Sequence, residues 1–240
     1  MKILAIGCHP DDLELHCYGT LAKCIDRGDE VYVCGVTAGE HGHYIIKPKE
    51  LAEIRKKEAE AAAKIIGAKE YVNLEGPDAN VYRRDMKLLY KMIDYIRKVD
   101  PDLIITHYRE DYSTDHVETS HLVYNAAFLA SLPHYQTETS GEDFKPAKGV
   151  IPIYYMDAVA EGVMPITNYV DISDYMDKKE EALKCHQSQL VWLKEHDGID
   201  IVQYSAVTDM AHGRYASVKA AEVFSMCPFK GRNNGKNLLP

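Results

Sequence analysis

Short apolar segments alternate four times with amphipathic segments over the first half of the chain, and this alternation most constrains the fold. The apolar segments span residues 3–8, 30–37, 71–74 and 103–107, and the amphipathic ones span residues 13–27, 50–66, 85–99 and 115–132. Apolar residues that recur every three or four positions are typical of helices, whereas short continuous apolar runs are typical of buried strands. Strands that alternate with helices form a parallel sheet with right-handed crossovers. The sequence therefore predicts an α/β, Rossmann-like three-layer fold with a mostly parallel central sheet.

The second half of the chain continues this pattern less regularly. Residues 151–156 and 169–172 are predicted to be extended and residues 173–193 and 200–211 helical, whereas residues 217–224 fit either state. Residues 133–149 are polar and irregular, and we expect a mobile surface loop there. The polar tail from residue 231 is expected to be mobile as well. Because no linker divides the chain, a single domain over residues 1–240 is predicted.

Composition argues against several kinds of partner and location. The 240 residues carry a formal net charge of −9, and nucleic-acid binding requires a basic surface, so no nucleic-acid partner is expected. No apolar run reaches the roughly 20 residues that a membrane span needs, and the N-terminus lacks the pattern of a signal peptide. The six cysteines include no C-x-x-C pair, which fits thiols in a reducing compartment. We therefore expect a cytoplasmic protein without a membrane span.

Ionisable groups crowd together directly after the first apolar segment. His9, Asp11, Asp12 and Glu14 stand in one short stretch there. Such crowding is costly unless a cation or a proton is shared, and ligands of open α/β sheets bind at the carboxyl ends of strands. We interpret the stretch as half of a metal site. The simpler alternative is that Asp11 and Asp12 only cap the following helix, but capping does not require His9.

The second half of the site is expected after the fourth strand. That strand ends at His107, the polar loop 108–114 follows, and Asp115 and Glu118 offer a capping arrangement for the next helix. In the common doubly wound order the first and fourth strands are neighbours, and the crevice opens between them. His116 is then expected to meet His9 and Asp12. Two imidazoles, one carboxylate and an open position suit a catalytic zinc ion.

Several motifs follow one another along the chain and together point to one family. They are His9-Pro10-Asp11-Asp12-Leu13-Glu14, Tyr18-Gly19-Thr20-Leu21, Thr37-Ala38-Gly39-Glu40, Arg55-Lys56-Lys57-Glu58, Asp115-His116 and Lys184-Cys185-His186-Gln187-Ser188-Gln189. With these motifs the chain resembles the PIG-L/LmbE-like family of zinc-dependent de-N-acetylases. The first motif alone is suggestive, whereas the ordered set is specific.

The resemblance implies a metal-dependent hydrolase that removes an N-acyl group, with acetyl the expected group, from a small molecule. The leading substrate is an N-acetylglucosamine-type sugar or its conjugate. The resemblance also implies one Zn²⁺ per chain, bound by His9, Asp12 and His116. Asp11 would be the general base that deprotonates water and returns the proton to the leaving amine. The expected partner is thus a small N-acylated substrate, and association into a homo-oligomer is left open.

Two positions depart from the family pattern. Ser113 stands three residues before His116, where the family usually has a histidine that is thought to help stabilise the tetrahedral intermediate. Another side chain would have to replace that histidine, or catalysis would be slower or different; the candidates include His107, Tyr112 and His186. His16 stands where the family usually has a small residue, so it either faces the pocket or packs beside the first helix.

Five residues are candidates for substrate binding, and most have a simpler alternative. They are Arg55, Asp78, Tyr112, Ser113 and His186. Arg55 is equally compatible with a solvated helix residue paired with Glu58. Asp78 is compatible with a turn residue, and His186 with a buried, hydrogen-bonded histidine.

Three other functions remain open on the sequence alone. A two-metal phosphoesterase needs more ligands than the three convincing ones. A metal-containing small-molecule binding protein would keep the site as a structural feature, although no G-x-G-x-x-G fingerprint follows the first strand. A catalytically degenerate family member is the third alternative, because Ser113 replaces a histidine.

Overall fold

The computed structural model describes residues 1–138, 145–157, 164–229, 232 and 238–240. In chain order, its elements are β1 (Lys2–Gly7), α1 (Asp12–His16), α2 (Tyr18–Asp26), β2 (Glu30–Thr37), α3 (Pro48–Ile66), β3 (Glu70–Gly76), α4 (Met86–Val99), β4 (Leu103–Thr106), α5 (Thr114–Leu129), β5 (Ile153–Met156), β6 (Asn168–Asp171), α6 (Met176–Leu183), α7 (Gln187–His196), α8 (Ile201–Ala216) and β7 (Ala221–Met226).

The strands form one sheet in the order β3-β2-β1-β4-β5-β7-β6. The first five strands in this order run parallel, whereas β7 is antiparallel to both β5 and β6. β1 pairs with β4 from Ile3↔Leu103 to Ile6↔Thr106. The chain therefore reverses its direction of winding at β1, which opens a crevice at the carboxyl ends of β1 and β4. The predicted α/β fold with a mostly parallel sheet is confirmed.

The sheet separates two apolar layers, and β1 contributes to both. Leu4 and Ile6 join the layer that contains α4 and α5, whereas Ile3 and Ala5 join the layer that contains α2. All four side chains are fully buried. A strand that is buried on both faces is apolar at every position, and this explains the unbroken apolar run at the start of the sequence.

The helix predicted over residues 13–27 is instead two helices that break at Cys17. Cys17 has a φ of −149° and a ψ of 1°, outside the helical region, and the break frees the N–H groups at the start of α2. The backbone N–H groups of Gly19 and Thr20 donate to the buried carboxylate of Glu222, at 3.0 and 2.6 Å. The break therefore depends on a residue of β7 that lies far away in the sequence, and helical periodicity does not reveal it.

The helix predicted over residues 173–193 is also two helices, α6 and α7. The break places Ser188 in the first turn of α7, where its backbone N–H and Oγ donate to Glu58 of α3 at 2.8 and 2.7 Å.

The region 217–224, which fitted either state, contains the start of β7. Within the part of the chain that the structure describes, no helix is long and apolar enough to span a membrane. The six cysteines are free thiols.

The capping arrangement predicted for α5 is wrong. The structure gives Ser113 as the N-cap residue, without a side-chain capping bond. Asp115 instead accepts the backbone N–H of Val81 at 3.1 Å, and Glu118 pairs with Arg83 at 2.6 Å. Both carboxylates therefore hold the loop after β3 against α5.

Residues 139–144 of the expected mobile loop, and residues 231 and 233–237 of the expected mobile tail, lie outside the described residues, so their mobility stays a prediction.

A buried group of three charges joins the C-terminal elements to the first helices. Lys179 on α6 lies 2.7 Å from Asp209 on α8 and 2.8 Å from Glu222 on β7. The same Glu222 carboxylate accepts the backbone hydrogen bonds from the N-terminus of α2. One cation thus lies between two buried carboxylates, and its removal leaves uncompensated buried charge.

Replacement of Lys179 by methionine should lower the free energy of unfolding by about 3–5 kcal/mol, because Asp209 and Glu222 would remain buried without their cation. Urea unfolding followed by circular dichroism measures the loss. Lys184→Met is the matched control, since Lys184 follows the same helix and pairs with Glu180 on the exposed surface; its stability should stay near that of the wild type. Equal stability of the two variants would contradict a structural role for the buried group.

Candidate active site

A cavity of about 440 Å³ opens at the carboxyl ends of β1, β2 and β4. Its wall combines carboxylates, histidines and one arginine with a few apolar side chains. The polar residues are His9, Asp11, Asp12, His16, His41, Arg55, Asp78, Tyr112, Ser113, Thr114, Asp115, His116 and Gln189; Leu15, Gly42, Ala79, Leu193 and Ile201 complete the wall. All predicted site residues except His186 lie in this wall, which places them at the switch point where such folds bind ligands.

Three of these side chains converge as the sequence predicts. His9 Nδ1 lies 3.2 Å from His116 Nε2, and His116 Nε2 lies 3.3 Å from Asp12 Oδ1. His9 Nδ1 lies 3.6 Å from Asp12 Oδ2. Zinc–ligand distances of about 2.0–2.1 Å give a tetrahedron whose ligands are about 3.3–3.4 Å apart. The two imidazoles and the carboxylate therefore fit a tetrahedral divalent metal with one position left open.

Further carboxylates fix the rings of both histidines. Asp111 Oδ1 lies 3.0 Å from His116 Nδ1, so the opposite nitrogen, Nε2, is directed at the cluster. His9 Nε2 lies 3.3 Å from Asp78 and 3.5 Å from Asp115. Carboxylates that hold the outer nitrogen of a ligating histidine are typical of metal sites, because they fix the tautomer and raise ligand basicity. The sequence analysis missed Asp111, and its position between His107 and His116 was the one available signal.

Opposite charges within the cluster shift the pKa values of its members. Burial disfavours the charged forms of both Asp12 and His116, but their mutual attraction outweighs it. The pKa of Asp12 lies well below its usual value, and that of His116 is raised to about 10. A divalent cation would therefore replace a proton on His116, as ligand binding generally requires.

His107 lies behind the cluster and does not reach the cavity. It is 1% exposed, and its ring stacks on that of His116 with a centroid distance of 4.1 Å. Its Nε2 lies 2.8 Å from the backbone N–H of Cys8 and 3.1 Å from Asp12 Oδ2, so it can accept from the first or donate to the second. Burial and the adjacent His116 lower its pKa to about 4. His107 therefore contacts the proposed ligands Asp12 and His116 from behind. It is not positioned to replace the histidine that the family usually has where this chain has Ser113.

Asp11 stands beside the cluster with a partner of its own. Its carboxylate accepts from Arg55 Nη2 at 3.0 Å. The same guanidinium donates to the backbone carbonyls of Pro10 and Gly39, the latter at 2.8 Å. Burial raises the pKa of Asp11, and the charge of Arg55 opposes that rise. Arg55 is 3% exposed, so the alternative of a solvated residue paired with Glu58 is wrong.

The remaining substrate-binding candidates differ in exposure. Asp78 is buried and accepts the backbone N–H of His41 at 2.8 Å, so it is more than a turn residue. Tyr112 is 72% exposed and contacts His116 edge-on at 5.6 Å. Ser113 lines the cavity, and its backbone N–H donates to Asp111 at 3.0 Å. Tyr112 and Ser113 thus form an accessible edge of the cavity next to His116.

His186 is placed behind the cavity wall. It is fully buried, and its Nε2 lies 3.0 Å from Glu14. Two residues later in the same motif, Ser188 is bound to Glu58, and Gln189 Nε2 donates to the carbonyl of Gly42 at 3.1 Å. The late motif therefore fastens α7 to the loop after β2. The sequence motifs contain Glu14, Glu58 and Gln189 but do not reveal what these residues bind, because their partners are distant in the chain.

Two further sets of metal-ligating side chains overlap the first. One consists of His107, Asp111 and His116, of which His107 and Asp111 do not line the cavity. Cys8, His9 and Asp115 also bring their ligand atoms within 4.8 Å of one another. This set uses His9 Nε2, which lies 3.6 Å from Cys8 Sγ, whereas the first set uses His9 Nδ1. The Cys8 side chain is fully buried and absent from the cavity wall. A metal that must contact a substrate in the cavity is therefore better coordinated by His9, Asp12 and His116.

Comparisons with known proteins agree on one family. A family model described as PIG-L, GlcNAc-PI de-N-acetylase, matches residues 4–127. Diacetylchitobiose deacetylase of Thermococcus kodakarensis is 30% identical over 207 residues, covering 80% of this chain and 72% of that protein. 4-Oxalmesaconate hydratase of Pseudomonas putida is 25% identical over 201 residues, covering 78% and 73%. The solved structure of N,N'-diacetylchitobiose deacetylase from Pyrococcus horikoshii matches with a TM-score of 0.82 at 25% identity, covering 100% of this chain and 86% of that one.

Replacement of Gly39 by alanine should destabilise the protein by about 1–3 kcal/mol. A Cβ at this position would lie 2.0 Å from Arg55 Nη1, and the φ of +65° is unfavourable for alanine. Gly42→Ala is the matched control in the same loop, because its Cβ would lie no closer than 3.4 Å to any neighbour. Chemical unfolding measures both variants, and equal stabilities would show that Arg55 is not held against Gly39.

Proposed function

We propose zinc-dependent deacetylation of an N-acetylglucosamine-type sugar or conjugate as the reaction of this chain, which belongs to the GlcNAc-PI de-N-acetylase (PIG-L) family. The family and the deacetylase relatives make the chain an amide hydrolase. The identity of the metal, the roles of single residues and the exact sugar belong to the proposal.

One observation carries the proposal: a two-histidine, one-aspartate cluster opens into the cavity with a separate buried carboxylate beside it. His9, Asp12 and His116 would hold the zinc ion, one per chain, and Asp11 is not needed as a ligand because Arg55 binds it. When bound, zinc supplies a Lewis acid that polarises the amide carbonyl and lowers the pKa of water from about 15.7 to near 7.

Asp11 moves the proton in this scheme. Its carboxylate takes a proton from the attacking water as the C–O bond forms and returns it to the amide nitrogen as the C–N bond breaks, which yields acetate and a free amine. Arg55 fixes the position of Asp11 through its three hydrogen bonds. A general base that is fixed in this way needs no reorganisation during the reaction.

The polar wall of the cavity suits a neutral, hydroxyl-rich substrate. Asp78 and His41 lie on the β2 and β3 side and offer acceptors and donors for hydroxyl groups. A small N-acylated sugar would meet these groups without bringing charge into an acidic cavity. Exposed Tyr112 lies at the opposite edge, next to His116.

The match to 4-oxalmesaconate hydratase gives a second candidate, the hydration of an anionic organic acid. Against it stand the four carboxylates of Asp11, Asp12, Asp78 and Asp115 and the engagement of Arg55 with Asp11, which leave the charge of a bound zinc ion as the main attraction for a polyanion. A substrate with further carboxylates would be repelled. The same argument disfavours a phosphoester substrate.

Two other statements from the sequence remain predictions. The free thiols fit a reducing, cytoplasmic location, and association into a homo-oligomer remains open.

A binding protein or a degenerate relative would bind the sugar without releasing acetate.

His116→Ala should lose most of the bound zinc, because the variant lacks one of three proposed ligands. His121→Ala is the matched control, since His121 lies on the same helix but lines a different cavity. Metal content after desalting is measured by mass spectrometry, with about one zinc per chain expected in the wild type and the control. Full zinc retention in His116→Ala would remove His116 from the site.

The wild type should release acetate from N-acetylglucosamine or N,N'-diacetylchitobiose, and Asp11→Asn should retain zinc but lose roughly 10²–10⁴-fold in turnover. Asp177→Asn, at an exposed position of α6, should behave as the wild type. Acetate and free amine are quantified together with the metal content. Unchanged turnover in Asp11→Asn would rule out the general base, and hydration of oxalmesaconate without acetate release would favour the second candidate.

A further inference from the structure

His16 is a buried polar residue of the cavity wall to which the mechanism above assigns no task. It is 9% exposed and lines the cavity. The other buried polar side chains of this wall have hydrogen-bond partners: Asp11, Asp12, Arg55, Asp78, Asp115, His116 and Gln189. Among the described residues, none forms a hydrogen bond or an ion pair with His16. The ring nitrogens of His16 are not among the fully buried atoms that lack a partner, which include Arg55 Nε and Asp115 Oδ2, so they face the cavity and can bond to a ligand there.

The surroundings of His16 keep its ring uncharged. Burial, followed by the nearby charge of Lys179, lowers its pKa to about 3. A neutral imidazole carries one N–H donor and one acceptor nitrogen. His16 therefore offers the cavity a hydrogen-bond donor that does not depend on pH in the neutral range.

His16 lies one helical turn after Asp12 on α1, so both face the same side of that helix. Apolar residues accompany it in the wall. Leu15 precedes it, and Ile201 of α8 is close because Ser205, one turn further along α8, donates to the carbonyl of Leu15 at 3.5 Å. This side of the cavity thus combines one neutral donor with apolar surface, whereas the side with Asp78 and Arg55 is polar and charged.

An N-acyl sugar is divided in the same way as the cavity, into a polar part and a partly apolar part. Its hydroxyl groups need polar partners, whereas its acyl group presents one carbonyl oxygen and an apolar methyl group. We infer that His16 donates its ring N–H to the acyl oxygen of the substrate, and that Leu15 and Ile201 contact the acyl chain. This inference rests on the proposed amide hydrolysis. In this inference His16 on α1 supplies the hydrogen-bond donor for the acyl oxygen. The hydroxyl of Ser113 on α5 is a weaker donor than the histidine that the family usually has at that position.

Two substitutions of His16 separate hydrogen bonding from packing. His16→Leu keeps apolar volume but removes the donor, and kcat should fall roughly 10²–10³-fold, as on loss of a donor to a developing oxyanion, with little change in KM. His16→Gln keeps a neutral N–H donor and should recover much of this loss. His121→Leu is the control outside the cavity. A kcat in His16→Leu within roughly threefold of wild type, well short of that loss, would overturn the role of His16.

The acyl contact is tested with a panel of N-formyl, N-acetyl and N-propionyl glucosamine. Ile201→Ala widens the apolar side, so the ratio of kcat/KM for propionyl over acetyl should rise by roughly 10-fold or more, the usual value of one methylene in a fitted pocket. Met210→Ala, at an exposed position of the same helix, should leave the ratio unchanged. An unchanged ratio in Ile201→Ala would overturn the acyl contact.

Acetate binding distinguishes this inference from the proposed function. Calorimetric titration of the zinc-loaded wild type and of His16→Leu with acetate requires no turnover. Loss of one hydrogen bond to the charged acetate should weaken binding roughly 13- to 160-fold. Equal affinities would contradict the contact even in an active deacetylase. Weaker binding in the variant, together with a wild type that releases no acetate from sugars, would preserve the contact and reject the deacetylase proposal.

Discussion

The parallel pairing of β1 with β4 is the constraint on which the site depends. Each strand is short and buried apart from Lys2 at the start of β1, and a polar segment follows each strand. Because the two strands are neighbours, the segment with His9 and Asp12 must meet the loop that leads into α5 and His116. The ligand atoms then lie 3.2–3.6 Å apart. The metal-site geometry is therefore a consequence of strand order.

The cavity gathers more carboxylates than it could tolerate without fixed partners. Asp11 has Arg55, Asp12 has His116, and Asp78 and Asp115 both approach His9 Nε2. Each carboxylate is thereby given a different environment, which is how groups of one type acquire separate roles. A cation at the cluster would reduce the remaining repulsion. Among the described residues none of this network bonds to His16, which sets it apart as the proposed ligand contact.

The sequence could predict the fold and the residues that follow strand ends, because strand–helix alternation and strand order determine where those residues lie. The helix breaks at Cys17 and before α7 could not be predicted, since Glu222 and Glu58 act on them from distant parts of the chain. Arg55 was ambiguous for the same reason. On a helix rich in Ala, Glu and Lys it resembles a solvated residue, and only the fold places it between Asp11 and Gly39.

X-ray absorption at the zinc edge of the purified, zinc-loaded protein tests the central claim most directly. The account predicts two imidazole nitrogens from His9 and His116 and a carboxylate oxygen from Asp12. All should lie at about 2.0–2.2 Å, and no sulfur should be present. A sulfur at about 2.3 Å would show that a cysteine binds the metal, with Cys8 placed for it by geometry, and would contradict the assignment of the site.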